Sequence, residues 1–129
     1  MDVRLDSMRL IVVENDPLLR RALAEVLKRD GMQVLAQPTD GAEALEAMEQ
    51  LHPDVILTDC DMPHVDGIEF VQRLRATGDL TPVVMLSGQA EPDTIAQATA
   101  AGVNRYLIKP VSAEMLTMVL RQTYHAAAA

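Results

Sequence analysis

Four short apolar runs in this chain end on residues able to do chemistry. Residues 10–13 are followed by Glu14, Asn15 and Asp16, and residues 55–57 by Thr58, Asp59, Cys60 and Asp61. Residues 83–86 are followed by Ser87 and Gly88, and residues 106–108 by Lys109 and Pro110. Carboxylates brought close together repel, and one or more stays protonated unless a cation neutralises them. Hard oxygen donors with few protein carboxylates suit Mg²⁺, which keeps waters and accepts phosphate oxygens, with Mn²⁺ as the alternative ion. A hydroxyl and an ammonium on the other side would bind the oxygens of a phosphoryl group. Each set also has a purely structural reading. A polar residue that ends a strand often just opens a loop, and Asp16 before Pro17 is a good helix N-cap.

For these residues to meet, the runs must lie side by side in one sheet. Each is apolar continuously rather than at every second position, which suits a strand buried on both faces. A weaker run at 34–36 reads as an edge strand. Between the runs lie helical stripes: Leu19, Ala22, Leu23, Val26 and Leu27, then Ala44, Leu45, Met48 and Leu51. Ile68, Val71 and Leu74 make a third, and Leu116, Val119, Leu120 and Thr123 the last. Gly31 is placed to end the first helix. Residues 92–101 are helix-compatible but Ala-rich, with Ile95 the only large apolar side chain, so this helix is expected to bury little and be marginally held. Strand and helix thus alternate five times, with turn chemistry at Asp30-Gly31, Asp40-Gly41, Asp66-Gly67 and Thr77-Gly78. That alternation with short loops predicts an α/β fold with parallel strands, whose ligands bind outside the carboxyl ends of the strands.

Composition narrows the function classes. At 129 residues the chain is long enough for one layered core. Asp and Glu outnumber Lys and Arg by 19 to 11, a net charge of −8 that argues against direct binding to nucleic acid. Aromatics are 2% with no Trp, which removes a base-stacking platform. No apolar run approaches the roughly 20 residues a membrane span needs. The single cysteine, Cys60, cannot make an internal disulfide and suits a cytoplasmic location. Residues 1–8 read as an N-terminal extension, 9–125 as the domain, and 126–129 as an alanine tail. His52, His64 and His125 are dispersed and lack zinc spacing.

The motifs Val12-Val13-Glu14-Asn15-Asp16-Pro17, Asp54 to Asp59 continuing through Cys60-Asp61-Met62-Pro63, Asp66-Gly67, Ser87-Gly88 and Tyr106-Leu107-Ile108-Lys109-Pro110 together resemble the receiver domain of two-component response regulators. The resemblance covers residues 9–124. It implies a single flavodoxin-like (βα)5 domain, doubly wound, with strand order 2-1-3-4-5. It implies that Asp59 is the phosphoacceptor, taking a phosphoryl group from a phosphohistidine to form an acyl phosphate. Mg²⁺ would be held by Asp59, the backbone carbonyl of Asp61 and the turn at Glu14 and Asn15. Lys109 would pair with one phosphoryl oxygen and Ser87 would donate to another, while the Lys109–Pro110 bond would be cis. The switch would pass through Ser87 and Tyr106 to the fourth helix, fifth strand and fifth helix. Partners implied are a sensor histidine kinase or histidine phosphotransfer protein, and a downstream target or an output domain lost from this chain. No membrane partner is implied.

One residue departs from the family's site and two more from the pattern of one of its subgroups. The second acidic residue of the metal-binding turn is the neutral Asn15, which predicts weaker Mg²⁺ binding and slower phosphorylation or hydrolysis. Asn104 and Arg105 stand where regulators with winged-helix outputs carry acidic dimer contacts, so a monomer or weak dimer is expected. Met115 and Met118 lie off the buried stripe of the last helix, either as stray surface methionines or as a partner surface. Two other readings compete. Asp59-Cys60-Asp61 also looks like the nucleophile motif of haloacid-dehalogenase-type phosphatases, but those need further acidic ligands after their lysine, and the chain nearly ends after Lys109. A receiver-like interaction module that does not use phosphate is favoured by Asn15 and opposed by the retention of Asp59, Ser87 and Lys109.

Overall fold

The computed structural model describes residues 8–128. Strands β1 (Arg9–Val13), β2 (Gln33–Ala36), β3 (Val55–Asp59), β4 (Val83–Ser87) and β5 (Arg105–Ile108) alternate with α1 (Pro17–Arg29), α2 (Gly41–Gln50), α3 (Gly67–Ala76), α4 (Pro92–Ala101) and α5 (Ala113–Ala128). The sheet runs β2-β1-β3-β4-β5 and every pairing is parallel. This is the doubly wound, flavodoxin-like arrangement expected from the sequence.

Successive residues of a strand face opposite sides, and the central strands use both sides as core. Leu10, Val12, Val55, Leu57, Val84 and Leu86 pack with Leu23 and Leu27 of α1 and with Leu116, Val119 and Leu120 of α5. Ile11, Val13, Ile56, Val83 and Met85 pack with Ala44 and Met48 of α2, with Phe70, Val71 and Leu74 of α3, and with Ala98 of α4. Burying each such Val, Leu or Ile contributes about 1.5–3 kcal/mol. The sheet is thereby clamped from both faces, which fixes the strand ends that carry the polar residues.

Local signals set the helix starts. Asp16 caps α1, its carboxylate accepting from the amides of Leu18 and Leu19 with Pro17 at the first position. Asp40 and Asp66 cap α2 and α3 by accepting from Glu43 and Glu69. The helix α4 buries only Ala98, as its composition predicts.

Three features differ from the sequence reading. The fifth strand does not lie buried on both faces. It is an edge strand, with Ile108 45% exposed, because α4 is too small to cover it fully. Met8, grouped above with the N-terminal extension, is buried and its carbonyl accepts from Gln33, so it belongs to the core; residues 1–7 lie outside the described residues. Residues 126–128 of the alanine tail are not set apart, since α5 continues through Ala128.

Candidate functional site

The carboxyl ends of β1, β3, β4 and β5 converge. Asp59 ends β3 beside Leu86, and Ser87 ends β4 beside Ile108. The Lys109 amide donates to the Ser87 carbonyl at 2.8 Å, which carries the strand pairing one residue past β5. The Lys109 side chain then turns back over the sheet edge. Its Nζ lies 3.5 Å from Asp59 Oδ1 and 3.8 Å from Glu14 Oε1. The Lys109–Pro110 bond is cis, as expected.

Both carboxylates are buried, Glu14 at 2% and Asp59 at 7% exposure. Asp59 Oδ1 accepts from the Cys60 amide at 2.7 Å and the Asp61 amide at 3.4 Å. Glu14 Oε2 accepts from the Asp16 amide at 3.1 Å, and the Glu14 backbone is held at both ends. Its amide donates to the Pro38 carbonyl, and its carbonyl accepts from Arg20 Nη1 at 2.9 Å. Burial raises the Glu14 pKa above the usual carboxylate range, and the facing Asp59 carboxylate adds to this, while the Asp16 amide and Lys109 partly offset it.

Ser87 is fully buried, and its Oγ accepts from the Gln89 amide at 3.0 Å. Tyr106 is half-buried and its hydroxyl donates to the Gln89 carbonyl at 2.8 Å. Burial pushes the Tyr106 phenol up, with a hydrogen bond to Ser87 working the other way. Cys60 sits beneath the site. Burial, reinforced by Asp61, Asp66 and Asp59, pushes its thiol up to about 11, so it is a neutral thiol rather than a nucleophile at neutral pH.

The structure therefore brings together Glu14, Asp59 and Lys109 by direct contact and seats Ser87 on the neighbouring strand. Asn15 is exposed in the turn between β1 and α1. Asp61 is exposed at the rim, where its Oδ1 accepts from Gln89 Nε2. Sequence reasoning missed Gln89, which also accepts from Thr94 of α4 through Oε1 at 3.2 Å. It also missed Arg20, which looks like a solvated helix residue, and the role of Gly67. A Cβ on Gly67 would fall 2.1 Å from the Asp59 carbonyl oxygen.

Two buried carboxylates share one ammonium, a donor set short of positive charge and made of hard oxygens. That set fits a divalent cation of the Mg²⁺ kind. Among the described residues no three His, Cys, Asp or Glu side chains are grouped as a cage.

A doubly wound domain with acidic, hydroxyl and ammonium groups gathered at the carboxyl edge of its central strands has its site at the position this fold uses for ligands. The response regulator receiver domain family matches residues 10–121. The chain belongs to that family, and is a receiver domain of the two-component signalling type whose general function is phosphorylation switching. It is 35% identical over 104 residues to the transcriptional regulatory protein PdtaR of Mycobacterium tuberculosis, covering 81% of this chain and 50% of that protein. It is 38% identical over 120 residues to the transcriptional regulatory protein PrrA of the same organism, covering 92% and 51%. The chain thus spans about half the length of the curated relatives it matches. Among solved structures, the receiver domain of a Francisella response regulator superposes with a TM-score of 0.88 at 26% identity, covering 94% of this chain and 99% of that one. No described helix is long and apolar enough to cross a membrane.

Proposed function

We propose that Asp59 accepts a phosphoryl group from the phosphohistidine of a sensor histidine kinase or histidine phosphotransfer protein. The observation that carries this reading is the Lys109 ammonium 3.5 Å from a buried Asp59 carboxylate, with a second buried carboxylate beside them. An Asp59 oxygen attacks phosphorus, the P–N bond breaks, and its electron pair leaves on the imidazole nitrogen. The product is an acyl phosphate. The Cys60 amide fixes the orientation of the Asp59 carboxylate, so little ordering remains at the moment of reaction. Lys109 neutralises a phosphoryl oxygen, and Ser87 donates to another after releasing its present partners.

Glu14, Asn15, Asp59 and the Asp61 carbonyl would hold Mg²⁺, or Mn²⁺ in its place. When bound, that ion supplies positive charge to the phosphoryl oxygens. The transfer is made once per phosphorylation and followed by slow self-hydrolysis, so the domain works as a switch rather than by turnover. Drawing Ser87 toward the phosphoryl group changes its contacts with Tyr106 and Gln89, which biases the surface formed by α4, β5 and α5. Met115 and Met118, 44% and 45% exposed on α5, belong to that surface. A target protein or an attached output domain in the cytoplasm would read it, with the domain itself a monomer or weak dimer.

Transfer from a phosphorylated histidine phosphotransfer protein, followed by the gel mobility of both partners, tests this reading. Loss of label from the donor with gain on this chain is expected, and Asp59→Asn should abolish the gain. A second reading, an interaction module that does not use phosphate, is favoured by the neutral Asn15. It predicts that a partner binds the chain equally well with and without the phosphate donor.

A further inference from the structure

We propose that the Asp61 carboxylate supplies, toward the divalent cation of this site, the negative charge that Asn15 does not, and that Gln89 competes for that carboxylate. The proposal rests on the functional reading above and adds to it a side chain with a charge role. A carboxylate at position 15 would bring the local set, with Glu14, Asp59 and Lys109, to a net charge of −2, counting formal charges. With Asn15 the set stands one charge short. Asp61 restores the count.

Its placement allows this. Asp61 is two residues beyond the acceptor, and its amide reaches Asp59 Oδ1 at 3.4 Å, so the residue lies directly beside the acceptor carboxylate. Its side chain is exposed, and among the described residues no Lys, Arg or His forms an ion pair with it. The carboxylate is held instead by a neutral donor, the Gln89 amide, from the loop between β4 and α4. Gln89 is itself steadied by Thr94. A carboxylate with no cationic partner among the described residues, on the rim of a site that attracts a dication, acts on that ion through space whether or not it becomes a direct ligand. Gln89 opposes this by holding the carboxylate in a hydrogen bond to its own amide, so the two residues set the affinity between them.

The test uses Mn²⁺ as the probe, with free ion followed by electron paramagnetic resonance at low ionic strength on the whole chain. Asp61→Asn keeps the shape and the backbone carbonyl and removes only the charge. It is expected to weaken binding about three- to tenfold, the attraction of a dication for one nearby carboxylate in water after screening. Asp61→Asn combined with Asn15→Asp, which moves the carboxylate from one loop to the other, is expected to return the affinity to at least that of the wild type. Gln89→Ala frees the carboxylate and is expected to tighten binding about twofold, by loss of one competing hydrogen bond. The Asp61→Asn deficit should shrink as salt is added. Far-UV circular dichroism checks that each variant is folded. Unchanged affinity in Asp61→Asn, or weaker binding in Gln89→Ala, overturns the proposal and leaves the phosphoacceptor reading standing. Undiminished Mn²⁺ binding in Asp59→Ala, or none in the wild type, overturns both.

Discussion

Replacing Gly67 by alanine should damage both the stability and the chemistry of the domain, and the size of each effect follows from one distance. Gly67 opens α3 directly against the backbone of Asp59, the proposed acceptor. A Cβ there would lie 2.1 Å from the Asp59 carbonyl oxygen and 3.0 Å from the Cys60 Cα, so the contact with the oxygen must lengthen by about 1 Å. Neither side of that contact is a flexible side chain. β3 is buried along its whole length, between β1 and β4. The start of α3 must therefore move, straining the bond from the Gly67 amide to the Cys60 carbonyl, now 2.8 Å. Overpacking of this kind costs about 1–3 kcal/mol and a weakened hydrogen bond about 1 kcal/mol. The better helix propensity of alanine returns less than about 1 kcal/mol, leaving a net loss of about 2 kcal/mol. Any part of the 1 Å taken up by Asp59 misplaces the attacking oxygen, and a misplacement of that size can slow a reaction by about 100-fold. Urea unfolding followed by circular dichroism reads the first effect, and the rate of labelling by acetyl phosphate with Mg²⁺ reads the second. A Gly67→Ala protein with wild-type stability and a wild-type labelling rate would refute the claim that close packing of α3 on β3 positions the acceptor.

The remaining predictions concern charge and backbone. The folded state raises the Glu14 pKa, so it keeps a proton that the unfolded chain releases. The metal-free protein should then be most stable, as far as Glu14 contributes, below the ordinary value of 4.5, and lose stability as pH rises to the raised value, levelling off above it. Urea titrations across this range should show that slope in the wild type and a flatter one in Glu14→Gln; equal slopes would contradict the assignment. His64 has a φ of 66°, in the left-handed region that costs a residue with a Cβ about 1–2 kcal/mol. His64→Gly should raise stability by up to about 1 kcal/mol after the greater entropy of unfolded glycine is counted, and a lower unfolding midpoint would count against it. Arg75 donates to the carbonyls of Asp79, Thr81 and Gly102 and to Asn104 Oδ1, joining the end of α3 and the loop before β4 to the loop that follows α4. Arg75→Met should cost about 2–4 kcal/mol and speed amide hydrogen exchange in α4 more than in α1. Uniform exchange would mean that the bracket does not hold α4.

What could be read in the sequence was what repeats along it. The continuous apolar runs at 10–13, 55–57 and 83–86 marked the central strands, because a strand covered on both faces has no polar side to show. The same rule misplaced the burial of β5, whose apolar run is as continuous but whose helical cover is the alanine-rich α4. Glu14, Asp59 and Lys109 could be nominated because each follows such a run, and the parallel fold places all those ends on one edge. Gln89 could not. A glutamine in a loop carries no periodicity, and its bonds to Asp61 and Thr94 depend on a side chain spanning two connections. Arg20 was hidden similarly, since its guanidinium folds back to the Glu14 carbonyl from a helix face that reads as solvated. Asp66-Gly67 has the sequence of a turn. Its aspartate is a helix cap, and its glycine is needed because no Cβ fits against the Asp59 backbone.

The central claim is that Asp59 itself becomes an acyl phosphate. Reduction with borohydride converts an aspartyl phosphate to homoserine, leaving a permanent mark on the residue that carried phosphorus. After incubation with acetyl phosphate and Mg²⁺, peptide mapping by mass spectrometry should find homoserine at position 59 alone, and none when the phosphate donor or the metal is left out. Homoserine at Asp61 or Asp54, or an unmodified aspartate at 59 in a folded protein given both reagents, would contradict the account.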